Sequence, residues 1–129
     1  MAEPKRIVTD VAIIGTGGAA LAAAIEARDV GARVAMVEKA ESLGRASIIS
    51  GGGCCMAGTP LQESNGIHDT PDQAFEDWVK WGGGSADEPW ARFYLEHSRN
   101  DLYLWAEGLG VKWVGLNHQE GNRVPRWHR

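Results

Sequence analysis

The sequence predicts an α/β fold that begins with a parallel β-α-β unit, and three stretches support this. Val11 to Ile14 is a short apolar run that ends at a glycine, as a buried parallel strand does. An alanine-rich stretch over 17–30 predicts a helix that ends at Gly31. A second stretch over 33–37, apolar after Arg33, follows and predicts the neighbouring parallel strand.

The turn between the first strand and the helix matches a dinucleotide-binding motif. Residues 15–20 read Gly-Thr-Gly-Gly-Ala-Ala and fit G-x-G-x-x-G/A, with Ala20 in the third place. Gly15 allows the tight turn out of the strand. Gly17 lets the backbone approach a diphosphate, and Ala20 lets the helix pack against the strand. The free N–H groups of the first helical turn would face the phosphates.

An acidic residue ends the second strand at the place where a ribose would lie. Glu38 follows Gly15 by 23 positions, close to the spacing of about 20 that the motif requires. A carboxylate there binds a free ribose hydroxyl and repels a ribose phosphate. The competing interpretation is a β-α-β unit with a chance glycine turn. It would not explain why the strand, glycines, helix and acid follow one another in the order and spacing of the motif.

A second loop rich in glycine and serine follows over 40–53. Its glycines let the backbone approach a flat or charged ligand, and the hydroxyls of Ser47 and Ser50 can bond phosphate or ribose oxygens. The alternative is a flexible connection. The adjacent Cys54 and Cys55 have no metal-ligand spacing, and we expect small buried residues there rather than a redox pair.

These motifs resemble the start of the fumarate reductase and succinate dehydrogenase flavoproteins, whose FAD-binding fold the 3-ketosteroid dehydrogenases share. The resemblance rests on Gly-x-Gly-Gly-Ala, on Glu38-Lys39 and on Ser-Gly-Gly-Gly at 50–53. It implies a Rossmann-like FAD-binding domain over 1–129, with the β-α-β unit and second glycine loop in 1–60 and covering helices in 61–129. The implied cofactor-binding residues are Gly15, Gly17, Gly18, Ala19, Glu38, Lys39, Ser47, Ser50, Gly51 and Gly52.

The chain departs from the family pattern beside the second loop. The family often has paired glycines where this chain has Gly44 and Arg45. Its respiratory members carry a histidine that bonds covalently to FAD, and the resemblance puts Arg45 in that place. A guanidinium cannot form this link, so the resemblance implies non-covalent FAD.

Two helices are predicted after a loop over 58–69. Thr70 caps the first helix, with Pro71 in its first turn and Gln73 completing a capping box. The second helix runs from about Glu88 to Glu107 and has one solvated face.

Two histidine-containing stretches leave alternatives open. Within the second helix, His97 and Asp101 form either a hydrogen-bonded structural pair or a proton relay.

A short strand is predicted at 111–114. For 118–129 we favour a solvated loop or frayed end over the start of a basic loop that leads, from Arg126 onward, toward an active site.

Composition bounds the possible partners. Of 129 residues, 43% are hydrophobic and 23% charged, and the net charge is −4, which favours neither nucleic acid nor an anionic membrane surface. The start has no apolar signal core, and no stretch is long enough to span a bilayer, so we expect a cytoplasmic protein. Only two convincing parallel strands are present, which predicts the N-terminal part of a longer, incomplete domain.

Together these features predict the FAD-binding portion of an oxidoreductase that reduces or forms a C=C bond next to a carbonyl or carboxylate of a small molecule. A nicotinamide-dependent dehydrogenase and a non-catalytic dinucleotide-binding module are the alternatives. No stretch matches the family's catalytic motifs, so we assign neither catalytic residues nor a metal site, and the oligomeric state stays open.

Overall fold

Residues 6–129 are described by the computed structural model of this chain, and they divide into two units between Gly51 and Gly52. We call them the N-terminal unit (6–51) and the C-terminal unit (52–129). The first five residues of the predicted 1–129 domain lie outside the described residues. A single FAD-binding domain over the whole chain, divided at residue 60, stays a prediction.

The N-terminal unit is built on the predicted β-α-β arrangement. Strand β1 covers Val11–Ile14, helix α1 covers Gly18–Asp29, and strand β2 covers Val34–Val37. The strands are parallel, with Val11 opposite Val34 and Ile14 opposite Val37. The strand and helix assignments are therefore confirmed to within one residue at each end.

An ion pair fixes the register at the start of both strands. The Asp10 carboxylate accepts hydrogen bonds from the Arg33 backbone N–H at 2.9 Å and from its guanidinium at 2.9 and 3.0 Å. Each residue stands immediately before its strand, so the pair aligns the two strand ends. Both side chains are exposed, which limits its contribution to stability.

Much apolar surface of the N-terminal unit faces solvent. Ile14 at the end of β1 is 92% exposed, and α1 has no fully buried residue. A short helix, α2, covers Ala46–Ile49, and its Ile48 and Ile49 are also exposed. The described part of this unit therefore has no buried apolar side chain of its own.

The C-terminal unit is mainly helical. Its helices are α3 (Pro60–Ser64), α4 (Pro71–Gly82), α5 (Glu88–His97) and α6 (Trp105–Gly108), with a π-helical segment at Ser98–Leu104 between the last two. The predicted α4 is confirmed, and the predicted long helix is confirmed as a continuous run from Glu88 to Gly108 that contains one π-helical segment.

Helices α3 and α4 begin with the same signal, Thr-Pro-x-Gln. At α3 the capping box is complete: Thr59 Oγ1 accepts from Gln62 N, and Gln62 Oε1 accepts from Thr59 N. At α4, Thr70 Oγ1 accepts from Gln73 N, and the reciprocal bond is not formed. The predicted loop over 58–69 is therefore wrong at 60–64, because the capping signal operates there too.

The C-terminal unit has a small antiparallel sheet. Strands β3 (Cys54–Cys55) and β4 (Leu116–Asn117) pair on either side of β5 (Trp127–His128). The strand predicted at 111–114 is displaced to 116–117. The prediction of a solvated loop or frayed end for 118–129 is wrong at 127–128, because the central strand of this sheet lies there.

The core of the C-terminal unit lies between α4 and α5. Ala57, Ala74 and Leu95 are buried, with Phe75 and Tyr94 packed against them. The Trp78 and Tyr94 rings meet edge to face at 5.8 Å, and the Arg92 guanidinium lies 4.0 Å from the centre of the Phe75 ring. Over residues 6–129, no helix combines the length and apolarity that a membrane crossing requires.

Candidate functional site

The glycine turn of the N-terminal unit has the geometry that its motif predicts. Gly15 has φ of +101°, a region that side chains disfavour, and its N–H bonds to Val37 O at 2.7 Å. Gly17 is the N-cap of α1 and has an extended backbone. As a glycine it has no side chain that could cap the helix. The turn therefore joins the carboxyl ends of β1 and β2 to the start of α1.

The approach to the start of α1 is open. A Cβ built on Gly17 or Gly18 would meet only Ser47 Oγ, at 3.6 and 3.7 Å. Ser47 Oγ also accepts a hydrogen bond from Gly18 N at 3.0 Å. A hydroxyl oxygen thus lies where an anion's oxygen would meet the first helical turn.

Glu38, which follows β2, is held as an ionised carboxylate. Its Oε1 accepts from Ala40 N at 2.9 Å, and its Oε2 accepts from Thr16 Oγ1 at 2.7 Å. The Ala40 N–H first, and then the Thr16 hydroxyl, hold the pKa of Glu38 below its usual range. The Lys39 N–H also bonds this carboxylate, which has about four acceptor positions, so one remains for a ribose hydroxyl.

Thr16 is the functional residue that the sequence analysis missed. It is buried, donates to Glu38, and accepts a bond from Gly44 N at 2.8 Å. It therefore ties the glycine turn, the acidic residue and the second loop together. The sequence contains one sign of this role: Thr16 is a hydroxyl residue at the variable position between the first two glycines of the motif.

These elements line an open cavity of about 550 Å³, within the size range of ligand sites. Polar groups line one part of it and apolar side chains the rest. Its lining residues are Thr16, Glu38, Gly44, Ser47, Leu21, Met36, Leu43 and Ile48. An ionised carboxylate beside apolar walls suits a ligand that has both hydroxyl groups and a flat apolar ring.

The remaining predicted site residues are less closely connected. Ala19 lies exposed in the first turn of α1, and Lys39 is exposed next to Glu38. Ser50 and Gly51 are exposed at the end of the N-terminal unit, and Gly52 opens the C-terminal unit with φ of +69°. Ser50 is linked to the site through its backbone N–H, which bonds Ser47 O at 3.3 Å.

The C-terminal unit contains a buried polar cluster around Arg126. This fully buried guanidinium bonds both oxygens of Asp69 at 2.8 Å, Asp77 at 2.6 Å and Asn122 at 2.9 Å. Burial works to raise the pKa of Asp77, but hydrogen bonds from Arg123 and Arg126 outweigh it and bring that pKa to about 2. Among the described residues every buried side-chain polar atom has a hydrogen-bond partner, so the cluster satisfies its own buried charges.

His128 is buried beside this cluster in a defined tautomer. Its Nδ1 lies 2.7 Å from the Arg126 carbonyl oxygen, which can only accept, so Nδ1 carries the proton. Its Nε2 then accepts from Thr59 Oγ1 at 2.7 Å. Burial lowers the pKa of His128 and keeps the ring neutral. The frayed-end interpretation is therefore wrong for Arg126 as well as for His128.

The other candidates for chemistry take structural roles. His97 Nδ1 lies 2.7 Å from Phe93 O, and its ring stacks on the Phe93 ring, so its bonding partner is Phe93 rather than Asp101. Cys54 and Cys55 are free thiols that are partly, not fully, buried. Burial raises the pKa of both thiols, which disfavours the reactive thiolate.

Comparison with known proteins connects the whole described fold to one family. The family described as FAD binding domain matches residues 10–128. The fumarate reductase (cytochrome) of Shewanella frigidimarina is 33% identical over 129 residues, which cover 100% of this chain and 22% of that protein. The chain spans about a fifth of the length of the first curated relatives that it matches.

Two solved structures show the same fold. The open conformation of a flavocytochrome c3 fumarate reductase aligns with a TM-score of 0.83 at 36% identity, covering 94% of this chain and 21% of that one. A 3-ketosteroid dehydrogenase from Rhodococcus jostii aligns with a TM-score of 0.78 at 29% identity, covering 93% of this chain and 30% of that one. The fold neighbours support the predicted Rossmann-like α/β class.

Proposed function

Because this chain belongs to the FAD binding domain family, we propose that its N-terminal unit binds the ADP half of FAD without a covalent link. The observation that carries this proposal is the fixed, ionised Glu38 carboxylate on the wall of a cavity beside the open N-terminus of α1. Gly17 and Gly18 leave room for a diphosphate, and Glu38 accepts bonds from the ribose hydroxyls. We place the flavin ring toward Ser47, Ser50, Gly51 and Gly52.

The activity we propose is that of a flavoprotein oxidoreductase which reduces or forms a C=C bond next to a carbonyl or carboxylate. Similar proteins are named as fumarate reductases and 3-ketosteroid dehydrogenases. Bound FAD supplies hydride transfer, while residues of this chain bind and orient it. Arg126 and His128 are fully bonded within the C-terminal unit, so we assign them no catalytic role. A small-molecule substrate and a cytoplasmic location belong to the same proposal.

Cofactor binding tests this proposal directly. The intact protein should purify with bound flavin or take up FAD after removal of endogenous cofactor, as measured by visible absorbance and by titration. Gly17→Ala should weaken FAD binding at least about tenfold, because a methyl group meets the diphosphate. The added Cβ has only an ordinary contact in the present structure, so the variant should fold normally.

Gly108→Ala is the matched control, since its Cβ would meet no neighbour within 4 Å. It should leave FAD affinity unchanged. Tight FAD binding by Gly17→Ala would place the diphosphate elsewhere. Binding of a nicotinamide dinucleotide in preference to FAD would favour the alternative dehydrogenase.

A further inference from the structure

Arg45 has a backbone conformation that suits glycine. Among residues 6–129 it is the one non-glycine residue with positive φ, at φ +40° and ψ −118°. An L side chain disfavours this region, whereas glycine enters it at little cost. Backbone strain that persists at a ligand site is a reason to look for a function of the side chain.

The residues on either side of Arg45 contact both ends of the proposed ADP site. Gly44 N bonds to Thr16, which holds the Glu38 carboxylate. Ser47 Oγ bonds to Gly18 N at the start of α1. Arg45 therefore stands in a four-residue segment that runs from the ribose end of the site to the diphosphate end.

Arg45 is exposed, and its charge acts on Glu38 without a direct ion pair. In the described part of the chain, no carboxylate forms a salt bridge with Arg45, whereas Arg33 in the same unit pairs with Asp10. The positive charge reaches the site, because it adds to the hydrogen bonds of Ala40 and Thr16 in holding down the pKa of Glu38. Arg45 thus adds an exposed positive charge to the segment that bonds the first turn of α1 through Ser47.

We propose that Arg45 is a cofactor-binding residue whose guanidinium bonds and neutralises the diphosphate of FAD. This inference rests on the proposed function of the N-terminal unit. A planar guanidinium can give two parallel hydrogen bonds to phosphate oxygens, which glycine at this place could not. A side chain at this place costs local stability, because its backbone lies in a region that suits glycine.

Titration of the cofactor-free intact protein with ADP and with adenosine tests whether the positive charge of Arg45 contributes to binding of the diphosphate. Arg45→Gln keeps the strain and removes the charge. It should weaken ADP binding about tenfold to a hundredfold, and less so at high salt. Adenosine lacks the diphosphate, so its affinity should not change. Arg28→Gln, which removes an exposed guanidinium at the far end of α1, should leave both affinities unchanged.

Arg45→Gly tests whether the positive φ of Arg45 strains the backbone and lowers the stability of the protein. The cofactor-free variant should melt about 2–4 °C higher than the parent, because glycine adopts this backbone freely. It should still bind ADP as weakly as Arg45→Gln does. An unchanged ADP affinity in both variants, or equal losses for ADP and adenosine, would overturn the inference. A parent protein that binds neither ADP nor FAD would instead overturn the proposed function.

Discussion

The N-terminal and C-terminal units place their polar and apolar groups in opposite ways. In the N-terminal unit the apolar Ile14, Ile48 and Ile49 face solvent, and the charged pair Asp10–Arg33 is exposed as well. In the C-terminal unit Arg126 is fully buried, where Asp69 and Asp77 satisfy it.

This difference shows where each unit obtains its stability. The C-terminal unit has a packed core and a polar network whose groups bond one another, so its stability comes from contacts within the unit. The N-terminal unit keeps its binding motif on a two-stranded sheet with exposed apolar surface, and such surface marks a site of further contact. Ligand binding should therefore stabilise the N-terminal unit by mass action more than the C-terminal unit.

The largest expected effect comes from breaking the buried network. Arg126→Met leaves the buried Asp69 without its arginine and removes one of the two arginines that bond Asp77, which should cost about 3–5 kcal/mol of unfolding free energy. All six tryptophans lie in the C-terminal unit, so near-ultraviolet circular dichroism and tryptophan fluorescence report on it. Denaturant unfolding followed by these signals measures the loss.

Arg33→Met is the matched control in the N-terminal unit. It breaks an exposed ion pair whose remaining carboxylate is solvated by water, so unfolding of this unit should hardly change. Because the unit has no tryptophan, its unfolding is followed by far-ultraviolet circular dichroism. Similar transitions for Arg126→Met and the parent would show that the contrast between the two units is not one of stability.

A smaller effect is expected from Glu38→Ala, which acts on ligand affinity rather than on folding. Loss of a charge-assisted acceptor for the ribose should weaken FAD binding about tenfold to a hundredfold. Equilibrium titration of the cofactor-free protein measures this. Glu41→Ala, an exposed acidic neighbour, should bind FAD like the parent. Equal affinities for parent and Glu38→Ala would remove Glu38 from the site.

The smallest effect is a pH dependence confined to the C-terminal unit. Burial lowers the pKa of His128 below its unfolded value of about 6.5, so protonation favours the unfolded chain. Its contribution is complete above pH 6.5 and is lost as pH falls through the lower folded pKa. For one proton the slope is at most about 1.4 kcal/mol per pH unit.

Denaturant unfolding at a series of pH values between 5 and 7.5 checks this. His128→Gln should lose this part of the slope, whereas the exposed His68→Gln should retain it. A parent protein with flat stability across this window would mean that His128 accepts a proton without breaking its bonds to Thr59 and Arg126.

The local signals in the sequence predicted the N-terminal unit well. A glycine-terminated apolar run, an alanine-rich helix and a strand-ending acid act over short distances, and β1, α1 and β2 lie where they predict. The same kind of signal at Thr59 is not recognised in the sequence analysis, which predicts a loop there, although it forms a complete capping box. Thr16 was missed because its role depends on Gly44, which is 28 positions away.

The C-terminal unit was less predictable because its organisation is non-local. Arg126 and His128 look like part of a solvated basic tail until Asp69, Asp77 and Thr59 are brought around them. Strand β5 has only two residues, too few for an alternating pattern to emerge. The position of β4 follows from its pairing with β5 and not from its own composition.

The central place of β5 has a consequence for folding during synthesis. More than 70 residues separate Cys54 and Cys55 from their partners in β5. At translation rates of about 5–20 residues per second, β3 emerges from the ribosome about 4–14 s before it can pair. The helices of this unit depend on local contacts and can form in that interval, whereas Asp69 pairs with Arg126 only after nearly the whole unit has been made. A nascent-chain binding factor would therefore find this unit open until its last strand emerges.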